Sequence, residues 1–121
     1  MDRIIFVVDD NDVNLVAAEN ALADDFNVLT MPSAEGMFEL LKDVRPDLIL
    51  LDIEMPGMDG FEAMQTLKSK SGTADIPVIF VTGKNDKESE VKGFEMGAVD
   101  FITKPFSEPV LIERINLRLN T

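Results

Sequence analysis

A chain of 121 residues has the size of one domain, able to bury an apolar core without disulfides or metals to staple it. Its 23 acidic residues against 11 basic ones give a formal net charge of −12, which argues against this segment gripping a nucleic-acid backbone by itself. With no cysteine and no histidine, it has no disulfide framework, thiolate or imidazole metal site, Ser-His-Asp triad or phosphohistidine. Its chemistry has to run on carboxylates, hydroxyls, lysine and a hard cation. No signal-peptide pattern opens the chain and no apolar run nears the ~20 residues of a membrane span, so a soluble cytoplasmic protein is expected.

The first predicted element is a strand over Ile4-Ile5-Phe6-Val7-Val8, followed by a helix starting at Asn11 or Asp12 with Val13, Val16, Ala17 and Ala21 at helical spacing. A short strand at Val28-Leu29 precedes a helix capped by Ser33, whose apolar stripe is Met37, Leu40, Leu41 and Val44. Leu48-Ile49-Leu50-Leu51 is the third strand; Asp59 caps the helix of Met64 and Leu67, and Ser71 to Ala74 is a surface loop. Val78-Ile79-Phe80-Val81 is the fourth strand, followed by a helix begun at Asn85 or Asp86 with Val91 and Phe94 on its apolar side. Phe101-Ile102 is the fifth, and Ser107 opens a last helix carrying Leu111, Ile112 and Ile115. Three of the strands are continuous apolar runs, as strands covered on both faces should be. The expectation is one α/β domain over residues 1–121, a (βα)5 doubly wound parallel sheet with right-handed crossovers.

In such sheets, ligands bind beyond the carboxyl ends of the strands. Here those ends carry Asp9-Asp10, Asp52, Thr82 and Lys104. Each alone has a bland explanation: a helix-start acid, a turn residue before Met55-Pro56-Gly57, a strand end, a solvated lysine. Independent caps would not be expected to gather three acids, a hydroxyl and a lysine on one rim in successive βα units. Three neighbouring carboxylates repel and raise one another's pKa unless a cation joins them. Mg²⁺ suits such a site, because it takes few carboxylates, keeps several waters and leaves positions for phosphate oxygens. A carboxylate can then act as nucleophile towards phosphorus, with Lys104 and Thr82 supplying the remaining donors.

Asp9-Asp10, Leu50-Leu51-Asp52 with Met55-Pro56-Gly57-Met58-Asp59-Gly60, Val81-Thr82-Gly83 and Phe101-Ile102-Thr103-Lys104-Pro105-Phe106 together resemble response-regulator receiver domains of two-component signalling. The resemblance covers essentially the whole chain and implies a flavodoxin-like sheet of strand order 2-1-3-4-5. It implies Asp52 as phosphoacceptor, Asp10 and Asp52 as direct ligands of Mg²⁺ (Mn²⁺ being an alternative), Asp9 as a mainly water-mediated ligand and the backbone carbonyl of Glu54 as another. It further implies that Lys104 contacts the phosphoryl group, that the Lys104-Pro105 bond is cis, and that Thr82 and Phe101 are switch residues remodelling the face of helix 4, strand 5 and helix 5. Glu54 and Lys84 would flank the path of water to the phosphoryl group, and pairing of their charges across the site mouth would screen it.

The expected partners are a sensor histidine kinase or a phosphotransfer protein, an output domain or output partner, and a second copy through the same helix 4, strand 5 and helix 5 face, with no nucleic acid and no membrane. The chain would be a signalling phosphoacceptor that assists its own phosphorylation and dephosphorylation, and not an enzyme in its own right. A haloacid-dehalogenase-like phosphatase would want Asp-x-Asp at its first strand, a flavin binder would not place Asp9-Asp10-Asn11-Asp12 where phosphate must sit, and a receiver degenerate in its site would not keep this set of acids, Thr82 and Lys104.

Overall fold

The computed structural model describes residues 3–84 and 86–120. Its elements alternate along the chain: β1 (Ile4–Val8), α1 (Asp12–Leu22), β2 (Asn27–Met31), α2 (Ala34–Leu41), β3 (Leu48–Leu51), α3 (Gly60–Lys68), β4 (Val78–Thr82), α4 (Lys87–Glu95), β5 (Asp100–Thr103) and α5 (Glu108–Leu119). All neighbouring strands are parallel and their order is 2-1-3-4-5, as expected. Among the described residues no helix is long and apolar enough to cross a membrane.

Alternation along each strand divides the interior into two cores. Phe6, Val8, Ile49, Leu51, Val78 and Phe80 point to one face, where Met37 of α2 and Met64 and Leu67 of α3 cover them. Ile5, Val7, Leu50, Ile79, Val81 and Ile102 point to the other, against Leu15, Ala18 and Leu22 of α1 and Leu111 and Ile115 of α5. Every residue of β3 and β4 is buried, which is why those strands read as unbroken apolar runs.

The caps settle the helix starts. Asn11 accepts hydrogen bonds from the Val13 and Asn14 amides, Ser33 from Gly36, and Asp86 from Ser89, while Asp59 and Glu62 form a reciprocal capping box. Asn85, the other candidate for the start of α4, lies outside the described residues. Ser107 stands at the N-cap of α5 without a side-chain capping bond.

Two helix faces differ from the expected ones. In α1, Val13 and Val16 are 75% and 55% exposed, and Ala17 is exposed too; the buried face is Leu15, Ala18, Ala21 and Leu22. Two stripes compete on this helix, and the one with the leucines removes more apolar surface from water. In α4, Val91 and Phe94 face solvent, and the buried residues are the small Ser89 and Gly93. Gly93 lies over the rings of Phe80 and Phe101, so the helix backbone itself rests on the sheet where a side chain was expected to.

Candidate functional site

Strand register brings the sequence-distant acids side by side. Val8 of β1 pairs with Leu51 of β3, so Asp9 and Asp52 leave neighbouring strand ends, and the Asp52 amide extends the ladder by donating to Val8 O at 3.0 Å. Thr82 of β4 pairs with Thr103 of β5, and the Lys104 amide donates to Thr82 O at 2.9 Å. The order of the sheet thus converts four separate strand ends into one cluster.

Within it, the Lys104 ammonium donates to Asp9 Oδ2 at 2.6 Å and to Asp52 Oδ2 at 3.1 Å. The other oxygens of these acids are held by backbone: Asp9 Oδ1 accepts the Asn11 amide at 2.9 Å and Asp52 Oδ1 the Ile53 amide at 2.8 Å. Asp9 and Asp52 are buried while Asp10 is exposed, and the three offer carboxylate oxygens within 4.8 Å of one another. Such an all-oxygen cluster can bind a metal ion. Thr82 is wholly buried at the end of β4, its hydroxyl accepting the Lys84 amide at 3.1 Å.

Burial above all, and then the Asp9 charge, push the Asp52 carboxyl above its ordinary range, opposed by Lys104 and the Thr82 hydroxyl. Burial works against the charge on Lys104, but its hydrogen bond to Asp9 and the charges of Asp52 and Asp9 outweigh it, and the ammonium is held above its usual pKa. The site therefore couples a reluctant carboxylate to a firmly charged lysine.

Of the other residues picked out in the sequence, Phe101 is buried and packs its ring 6.2 Å from that of Phe80, and the Lys104-Pro105 peptide is cis. Glu54 is exposed and lines, with Lys84, Phe61 and Asp59, an open cleft beside the acids. Lys84 has its carboxylate partner elsewhere, with Nζ 3.8 Å from Asp86 Oδ1. Sequence reasoning missed the Ile53 amide that holds Asp52 Oδ1, because a backbone donor leaves no trace in side-chain identity.

The fold and the cluster define a flavodoxin-like α/β domain whose chemistry lies in carboxylates and a lysine at the carboxyl edge of its sheet. A profile of the response regulator receiver domain matches residues 5–116. The chain is 41% identical over 115 residues to a probable cyclic di-GMP phosphodiesterase of Vibrio cholerae, covering 95% of this chain and 26% of that protein. It is 37% identical to the phosphate regulon transcriptional regulatory protein PhoB of Pseudomonas aeruginosa, covering 93% of this chain and 50% of PhoB. The BeF3-activated DrrB receiver domain superposes with a TM-score of 0.90 at 30% identity, with complete coverage of both chains. A response regulator of Chloroflexus aurantiacus does so at 0.93 and 26%, again over the whole of both. The chain belongs to the response regulator receiver family, the phosphoacceptor domains of two-component signalling. It spans between a quarter and a half of the length of these curated relatives.

Proposed function

We propose that Asp52 is the phosphoacceptor of this receiver, taking the phosphoryl group from a phosphohistidine on a sensor histidine kinase or phosphotransfer protein. The observation that supports this best is the acceptor's setting: Oδ1 is held by a backbone amide, and Oδ2 lies 3.1 Å from the Lys104 ammonium. An Asp52 oxygen attacks phosphorus, the P–N bond of the donor breaks, and the imidazole leaves with the electron pair of that bond. Lys104 neutralises charge on the transferring group, and the Thr82 hydroxyl donates to one of its oxygens. The exposed Val13 and Val16 beside Asp10 and Asp12 give the donor protein an apolar footing next to the acids.

The donor set fits a small hard cation, being all oxygen with one acid open to solvent and no soft ligand. Asp9, Asp10, Asp52 and the Glu54 carbonyl would hold Mg²⁺, or Mn²⁺, which when bound offsets the charge of the acids and of the incoming phosphate. Asp52 and Asp10, the latter exposed and free of Lys104, would be direct ligands, and Asp9 would act mainly through water.

Phosphorylation draws Thr82 towards the phosphoryl oxygens and changes the seat of Phe101, altering the face of α4, β5 and α5. That face exposes Val91, Phe94 and Val110, an apolar surface for an output domain or a second copy. Glu54 and Lys84 tune access of water at the mouth; replacing either by alanine changes the dephosphorylation rate a few-fold.

The test is labelling by a small phosphodonor with Mg²⁺. One phosphoryl group is expected, at Asp52 and absent from Asp52→Asn; stoichiometric labelling of that variant elsewhere would overturn the reading. Thr82→Ala and Lys104→Ala are expected to accept some phosphoryl group while losing most of the NMR shift change across α4, β5 and α5.

A further inference from the structure

The first residue of α3 approaches the acceptor's own peptide more closely than any side chain allows. A Cβ built on Gly60 overlaps the carbonyl oxygen of Asp52 and falls 2.7 Å from Ile53 Cα, both backbone atoms that cannot swing aside. The contact is also bonded, for the Gly60 amide donates to Ile53 O at 2.7 Å. Ile53 in turn gives its amide to Asp52 Oδ1 at 2.8 Å. A single residue, Ile53, is thus gripped by α3 through its carbonyl and grips the carboxylate through its amide.

We propose that Gly60 is a positioning residue for phosphoryl transfer: by admitting the first turn of α3 against the Asp52–Ile53 backbone, it fixes the orientation of the Asp52 carboxylate. This rests on Asp52 being the acceptor. The α3 end of the chain of contacts is stiff, since the Asp59–Glu62 capping box ties the first turn together with bonds of 2.8 and 2.9 Å. Beyond Ile53 in the chain stands Glu54, whose backbone carbonyl faces the same mouth in the reading above, so any displacement of the turn acts on the acceptor and on that carbonyl together. The backbone at Gly60 is helical and outside the left-handed region, so only the close approach demands glycine here. Helix propensity alone would favour alanine at this position, which makes a loss diagnostic.

Gly60→Ala is expected to lower the phosphorylation rate at saturating Mg²⁺ and small phosphodonor by about 10- to 100-fold, the scale on which a misplaced reacting group acts. The comparison is Gly97→Ala, strained by the φ of 105° at the opposite edge of the sheet, which should lose thermal stability and keep its rate. A folded Gly60→Ala that phosphorylates at the wild-type rate overturns the proposal, as does a Gly97→Ala that slows equally, since the effect is then general loosening. If Gly60→Ala does not fold, hydrogen exchange of the wild-type Gly60 amide decides: a several-fold change in protection between phosphorylated and free protein supports the coupling, and unchanged protection overturns it. Wild-type protein labelled away from Asp52 would instead sink the acceptor assignment, whatever Gly60 does.

Discussion

Asp52 sits in an environment that opposes its own ionisation. A carboxyl whose pKa is raised on folding binds its proton more tightly in the folded state, so the destabilisation it causes is absent below the ordinary carboxyl range and complete above the raised pKa. Without divalent cation, Asp52→Asn is therefore expected to melt at higher temperature than wild type near about pH 7.5, with the gain vanishing towards about pH 3. A gain that persists unchanged at acid pH would assign it to packing instead. At the same scale, Asp10→Ala should weaken Mg²⁺ binding, followed by calorimetry, more than Asp9→Ala. Equal affinities across wild type and both variants would contradict the assigned ligand roles. The acids, Thr82 and Lys104 were legible in the sequence because each is a polar residue ending an apolar run. The role of Lys84 was less so: the exposed cation found its partner two residues away in Asp86 and not across the cleft in Glu54, a choice between near-equal surface contacts that no spacing encodes.

The elements differ in how firmly they are held. The five βα units could be read from the sequence, most plainly where burial on both faces makes β1, β3 and β4 continuous apolar runs, whereas the strand order followed only from the resemblance to receiver domains. The rotation of two helices could not be read: α1 offers two competing stripes, and α4 seats the small Ser89 and Gly93 on the sheet in place of its apolar side chains. Leu22→Ala, on the true inner face of α1, should cost about 2–5 kcal/mol by denaturant titration, whereas Val16→Ala should stay within about 0.5 kcal/mol. The reverse ranking would restore the other face. Helix α4 buries only Ser89 and Gly93 and owes its start to Asp86, whose carboxyl Ser89 holds below the ordinary range. That contribution is present above the usual carboxyl pKa and lost as pH falls through the lowered one, so amides of the first α4 turn should exchange faster in acid while β3 and β4 remain protected. A helix so lightly seated is also the one a switch can move at small cost.

Across the whole molecule, a net charge of −12 works against compaction, and any counterion relieves it. Monovalent salt should therefore raise the melting temperature of wild type and Asp10→Ala alike. Mg²⁺ should add a saturable increment in wild type, about 2.7 kcal/mol at a hundred times its dissociation constant, and a smaller one in Asp10→Ala at the same concentration; an equal increment in the variant would mean general screening.

The pair that closes the site, Asp9 with Lys104, is separated by 95 residues, and Asp52 with Lys104 by 52. All three acids lie in the half of the chain made first, and both Thr82 and Lys104 in the half made last. A nascent chain whose fifth strand is still inside the ribosome thus carries all three acids without the Lys104 that bridges Asp9 and Asp52. The lysine bridge between the two acids is therefore the last part of the cluster to form, however early the acids themselves emerge.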